Sequence, residues 1–414
     1  MPRSLAILIT VVCLCLTRAA HAENWPEFRG PTGQGTYAGK NLPIEWSKTK
    51  NVAWKQAIPG KGWSSPIVQD GKIYLTTAAP IADSKDLSLR ALCLDAADGK
   101  ILWNVEVFRQ DAKAPRIHSK NSHASPSPLT DGRRLYVHFG HQGTAALDFA
   151  GKVLWRNTEH HYAPVHGNGG TPILVDDKLV FSGDGGDKQF VVALDAASGE
   201  TAWKTDRKCE FYKKFSFGTP LVITVNGKQQ IVSPASGAVM AYDPKDGKEL
   251  WRAAYDGYSV IPRPVFGHGM IFFSSGYDQP KLLAIRADGA GDVTATHIAW
   301  TLTKGAPHAP SPLLVGDELY TISDNGTVSC LDARTGKIHW QERIDGNFSA
   351  SPFYADGKIY LQSEDGVTTV IRAAKSFERL AESRLDERTF ASYAVADGAI
   401  YLRTESQLYR IQAK

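Results

Sequence analysis

The stretch Ala193-Leu194-Asp195-Ala196-Ala197-Ser198-Gly199-Glu200-Thr201-Ala202-Trp203 decides the fold. It reads as two short strands joined by a tight turn. Asp195 and Gly199 frame the turn, where glycine takes a positive φ at little cost, and Trp203 ends the outgoing strand. The phrase returns as Cys93-Leu94-Asp95…Gly99-Lys100…Trp103, Ala241-Tyr242-Asp243…Gly247-Lys248…Trp251 and Cys330-Leu331-Asp332…Gly336-Lys337…Trp340. A copy shorter by one residue runs from Ala146 to Trp155, and a stretched copy begins at Ala284-Ile285 and reaches Trp300. A period of roughly 40 to 50 residues marks a propeller or a solenoid.

Working outward, each phrase is preceded by a strand–turn–strand signature. Ser64-Ser65-Pro66-Ile67-Val68 is an inner strand, Asp70-Gly71 a hairpin turn, and Lys72 to Thr76 a second strand alternating in period two. The signature recurs at Pro128, Pro172, Pro220, Pro264, Pro312, Pro352 and Tyr393, which makes eight units. The eighth has three strands, ending Leu408-Tyr409-Arg410-Ile411. A surplus strand, Asn51-Val52-Ala53-Trp54, precedes the first unit. The expectation is an all-β, single eight-bladed β-propeller of four-stranded antiparallel blades. The N-terminal strand closes it by pairing into the last blade, because closure removes two exposed sheet edges. The chain divides into a signal peptide at 1–22, an extended strap at 23–50 and the propeller at 51–414.

The signal peptide rests on Arg3, the apolar run Leu5 to Leu16, which is too short to span a bilayer, and Ala20-His21-Ala22 as the cleavage site. Cleavage near Ala22 implies export, periplasmic or secreted. Cys15 follows Leu14 inside the apolar run, so no lipid-attachment site is read there. Lys+Arg 47 against Asp+Glu 43 gives no nucleic-acid or membrane-surface footprint. Cys93 and Cys330 stand where sister repeats have alanine and read as small buried hydrophobes, and with Cys209 they form no disulfide framework. No transmembrane span is expected, and the chain is taken as a monomer.

Trp54, Trp103, Trp155, Trp203, Trp251, Trp300 and Trp340 are assigned a structural role, locking the outer strand of one blade to its neighbour. The A-x-D-x-x-x-G-x-x-x-W phrase resembles the tryptophan-docking motif of quinoprotein-type propellers. Two branches share it: dehydrogenases of alcohols and glucose that depend on pyrroloquinoline quinone (PQQ), and the outer-membrane assembly factor BamB. Trp25-Pro26-Glu27-Phe28-Arg29-Gly30-Pro31 and Gly62-Trp63-Ser64-Ser65-Pro66 look more like exported PQQ-binding-like β-propeller repeat proteins. In the alcohol dehydrogenase branch PQQ stacks on a disulfide between adjacent cysteines beside a calcium site. No two cysteines of the mature chain are adjacent, and no calcium ligand set maps onto the sequence. PQQ is therefore a possible cofactor without motif support, and no catalytic residue is assigned.

Variation between blades falls on one rim. Blade one carries an insert from Ala78 to Arg90, and the approach to blade two, Val107 to His123, is longer still. Such variation marks the binding face. Aligned on the inner-strand proline, the residues leading into the channel are Trp63, His123, His166, Lys214, Tyr258, Arg263, His308, Asn347 and Arg388. The set is basic and aromatic and carries no obvious acid. It points to an anionic or hydroxyl-rich ligand, a glycan or an envelope protein, although a wet, unemployed channel mouth has the same composition. His118, His123, His138, His141, His160, His161 and His166 lack metal spacing, and Asp184-Gly185-Gly186-Asp187 is not a full calcium loop. There is no G-x-S-x-G, Walker A or GxGxxG motif. Three readings follow: an exported scaffold or binding module, a PQQ-type oxidoreductase with cofactor at the axis, and a rim hydrolase without a nucleophile motif to support it.

Overall fold

The computed structural model describes residues 23–208 and 210–413. The signal-peptide reading of 1–22 and the thiol of Cys209 lie outside the described residues. The described residues form eight antiparallel blades around a common axis. Strands a to d of blade one are Ile67–Gln69, Lys72–Pro80, Leu87–Asp95 and Ile101–Gln110. Ala394–Ala396, Ala399–Arg403 and Gln407–Gln412 make strands a to c of blade eight, and Val52–Ala57 pairs antiparallel with Gln407–Gln412 as its outer strand. The ring is closed by the start of the chain meeting its end.

The repeated phrase shows why it recurs. Asp195 Oδ1 accepts the backbone N–H groups of Ala197 and Ser198 at 2.9 and 2.7 Å, and the Gly199 N–H donates to the Asp195 carbonyl at 2.8 Å. The bonds to the carboxylate, led by the one from the Ser198 N–H, hold its pKa below the usual range. Gly199 has φ 77°, and a Cβ there would lie 2.5 Å from the Trp155 ring of the preceding blade. Glycine thus serves conformation and clearance together.

Six of the seven docking indoles reach the following blade through their N–H. Trp54 donates to the Ala96 carbonyl, Trp103 to Phe149, Trp155 to Ala196, Trp203 to Pro244, Trp300 to Ala333 and Trp340 to Ala374, at 2.9–3.2 Å. Trp251 differs and donates to Gln230 Oε1 at 2.8 Å. The next turn is the stretched one, and its Gly291–Asp292 strand runs parallel along Trp251 and Arg252. In blade seven the outer strand carries Ala381 opposite Val370. Trp46, from the segment before the propeller, is buried in the same apolar cluster as Ala381. Cys93 and Cys330 are buried free thiols opposite Trp103 and Trp340. Their slot is narrow because the facing indole fills it.

Two features depart from simple repetition. Residues 23–37 do not lie over the ring as a plain strap but run into its axis from the short-turn rim. Asn24 meets Asp70, Trp25 bridges to Val68, and the Pro26 carbonyl accepts Thr130 N–H. Thr36–Tyr37 then pairs in parallel with strand a of blade seven, Phe353–Ala355. The blade-one insert is not a loose loop. Strands b and c simply continue, so that Pro80 faces Leu87, and strand d follows them to Gln110.

The residues before the inner-strand prolines form a belt around the axis. The N–H of Ser65 donates to Ser127 Oγ, Ser127 to Thr171, Thr171 to Thr219, Arg263 to Ser311, Ser311 to Ser351, Ser351 to Ser392 and Ser392 back to Ser65, at 2.9–3.1 Å. Seven of the eight inner strands therefore satisfy a backbone donor on a neighbour, where water would otherwise be needed, and the break falls between Thr219 and Arg263, which has no hydroxyl.

Candidate functional site at the channel mouth

The long-loop rim carries a continuous arc of rings. His118 and His166 lie 5.8 Å apart, His166 and Phe215 5.3 Å, Phe215 and Tyr258 5.7 Å, Tyr258 and Tyr277 6.1 Å, and Tyr277 and His308 5.5 Å. The arc crosses loops from successive blades. Tyr258 is its buried centre. Its hydroxyl is shared by Lys213 Nζ and Asp278 Oδ2, each at 2.8 Å, and Lys213 sits over its ring. Phe211 and Tyr212 pack on it from one side. Tyr212 and Tyr277, which flank it, are 71% and 56% exposed. Exposed aromatic surface on a rigid frame makes this arc a candidate interaction site.

The loop after Gln110 crosses the mouth. On one side the His166 carbonyl, at a left-handed φ of 64°, accepts the His118 N–H and the Asn121 amide at 3.0 and 2.9 Å. On the other side Lys120 reaches Glu364 of blade seven at 2.7 Å, and Ser349 shares that carboxylate at 2.6 Å. A left-handed backbone is uncommon for a residue other than glycine, though histidine takes it more readily than most, and the carbonyl of His166 accepts two bonds there. Burial lowers the His166 pKa, helped by His118 and Lys213.

Of the nine residues proposed for the mouth, His166, Tyr258 and His308 are joined through the arc. Trp63 belongs to a second cluster across the seam of blades one and eight, edge-on to Phe390 at 4.8 Å, with the Arg388 guanidinium over the same Phe390 ring. His123 turns away toward Gln110, whose amide lies 2.8 Å from Nδ1, and burial lowers its pKa. Lys214 is exposed, and its neighbour Lys213 makes the contacts in the arc. Asn347 enters through its carbonyl, which accepts the Glu364 N–H at 2.7 Å.

Arg263 is not at the mouth. It is 2% exposed and points down the axis, donating to the Pro220 and Phe28 carbonyls at 3.0 and 2.6 Å and pairing with Glu27 at 3.2 Å. One residue before the proline is a belt position, not a loop position, so its side chain faces the inserted segment. The mouth is also less cationic than its aligned residues imply. Asp278, Asp324 and Glu364 lie among them, and Asp324 accepts the His308 N–H at 2.6 Å. The sequence reading missed Phe211, Tyr212 and Phe215, whose cue was aromatic density between Phe211 and Phe217, and Tyr277, which had no such cue.

The residues present do not fit PQQ as the dehydrogenase branch holds it. Cys93 and Cys330 are buried in separate blades. The axis is filled from one end by Trp25 to Gly35. Among the described residues no group of three or more His, Cys, Asp or Glu is arranged to hold a metal. His138 and His160 instead pack on Phe181.

The family described as "Outer membrane protein assembly factor BamB" matches residues 34–183, 187–308 and 290–414. The chain belongs to the BamB family. Outer membrane protein assembly factor BamB of Yersinia pestis is 26% identical over 203 residues, 44% of this chain and 49% of that protein, so the match spans about half the length of this relative. The crystal structure of BamB from Moraxella catarrhalis superposes with a TM-score of 0.57 at 15% identity, covering 84% of this chain and 98% of that one. A europium-containing methanol dehydrogenase gives 0.63 at 12% identity, with 93% and 90% covered. At such identities the two structures share the BamB-like fold with this chain and carry no activity to it.

Proposed function

We propose that this protein is an exported propeller scaffold of the cell envelope that docks a polypeptide on its long-loop rim, with the arc from His166 to His308 as the contact surface. The observation that carries this reading is the pair of exposed tyrosines, Tyr212 and Tyr277, on either side of the buried Tyr258. Tyrosine supplies large contact area at low entropic cost and dominates interface energetics. The ring frame holds the pair in place before any partner arrives, which lowers the cost of association. The family description, an outer membrane protein assembly factor, supports a protein partner in that process. A purely anionic or glycan ligand fits less well, because Lys120 and Lys213 already have partners. Export rests on the leader read at 1–22, and no helix of the described residues is long and apolar enough to cross a membrane.

The test is a photo-crosslinking residue placed in living cells at Tyr212 or Tyr277, and at Lys358 on the short-turn rim. Covalent adducts to a component of outer-membrane protein assembly should form from the first two positions. Adducts from Lys358 alone would assign the working surface to the opposite rim.

A further inference from the structure

The two insertions that break the repeat in blade one enclose a cleft of about 400 Å³. Its walls are the end of strand d with the loop after it and the start of strand c, where Leu87 pairs with Gln110. Asp86 ties the parts together, accepting Arg109 Nε and the Ala112 N–H, each at 3.1 Å. The volume falls within the roughly 300–1,000 Å³ of small-molecule sites.

The lining divides by chemistry. Leu87, Pro115 and Ile117 give an apolar floor, and Lys85, Arg116 and His123 give donors. Among the described residues neither Lys85 nor Arg116 has a hydrogen-bond or ion-pair partner. The Asp111 carboxylate, also in the lining, accepts the Lys113 N–H at 2.7 Å. Gln110 is almost fully buried, and with its amide donating to His123 Nδ1, the imidazole proton sits on Nε2. Two unpaired cations and an imidazole donor beside an apolar floor match a carboxylate on an aliphatic stem.

We propose that this cleft binds a small aliphatic carboxylate, its head on Arg116, Lys85 and His123 and its stem on Leu87, Pro115 and Ile117. Among the described residues no other blade extends strands b, c and d as blade one does, so the cleft is not a by-product of the repeat. The proposal does not rest on the docking reading, although the loop after Gln110 borders both the cleft and the arc.

The probe is hexanoate, titrated calorimetrically into the full mature chain, with hexanamide as the neutral isostere. Hexanoate should bind saturably, hexanamide at least about tenfold more weakly, and added salt should weaken hexanoate binding. The double variant Lys85→Ala, Arg116→Ala changes exposed side chains only and should fold normally. It should lose at least about tenfold in hexanoate affinity, whereas Lys358→Ala should lose none. A short peptide ending in leucine, free or amidated at its C-terminus, distinguishes sources of the carboxylate. Binding of the free peptide alone supports capture of a chain terminus, and binding of hexanoate supports a free acid. No saturable binding of either, equal binding of hexanamide, or an unchanged double variant would overturn the proposal.

Discussion

The backbone N–H of Ser392, in the last blade, donates to the hydroxyl of Ser65, in the first, at 3.0 Å. This bond closes the axial belt at the seam where the ring closes. Ser65→Ala leaves a buried donor without a partner, which costs about 1–3 kcal/mol. Ser65→Thr should be nearly silent, since Thr171 and Thr219 fill the same slot. Urea unfolding, compared at equal slope, checks both. An alanine variant as stable as the parent would mean that the belt contributes nothing at the seam.

Trp203 is buried, and its indole bonds the Pro244 carbonyl at 3.0 Å. Trp203→Ala should lose about 3–5 kcal/mol, the usual cost of emptying a large aromatic site. Gly247→Ala should be destabilising from the other side of the same seam, because Gly247 has φ 70° and a Cβ would run into the Trp203 ring. The two losses should be less than additive in the double variant, since both open one contact. Additive losses would separate the glycine from the tryptophan.

His138 supplies a pH dependence. It is fully buried, bonds Thr144 Oγ1 at 2.8 Å and packs on Phe181. Burial, assisted by the nearby His141, lowers its pKa from 6.5 to about 3. The fold therefore favours the neutral ring. Its contribution is fully present above 6.5 and is lost as pH falls toward about 3, on the order of several kcal/mol across that window. His138→Gln should flatten the stability profile between pH 6 and 4 (roughly the middle of that window) relative to the parent. Parallel profiles would show that His138 does not drive acid sensitivity.

The blades were legible because one phrase recurs and each of its residues acts locally, Asp capping the turn, Gly clearing a ring and Trp filling a seam. The closing strand was legible for a related reason, since a unit one strand short and a surplus strand at the other end call for each other. The mouth was legible only in part. His166, Tyr258 and His308 stand at comparable offsets from an inner strand, but Tyr212 and Tyr277 lie in loops of unequal length, where alignment carries no position. The axial segment has no periodicity, so nothing local says that Trp25 to Gly35 enters the ring. The Ser-Pro and Thr-Pro pairs were a visible signal for the belt, and Arg263-Pro264 was the exception that marked contact with that segment.

Arg263 joins the inserted segment to the ring. Its N–H keeps the belt bond to Ser311, and its guanidinium binds the Phe28 carbonyl and Glu27. Glu27 is pushed up by burial and drawn back by Arg263, so removing the arginine leaves a carboxylate that the site disfavours. Arg29, buried nearby, cannot take its place. It donates to the Gln34 and Pro312 carbonyls, and burial together with the Arg263 charge lowers its pKa to about 9. Arg263→Ala should therefore cost about 3–5 kcal/mol, as expected when one partner of a buried pair is lost. It should also expose residues 23–37 to limited proteolysis. Arg263→Ser restores a hydroxyl to the belt but still strands Glu27, and adding Glu27→Gln should recover part of the loss. If Arg263→Ala leaves the segment as protected as in the parent, its insertion is held by Trp25 and the blade-seven pairing alone.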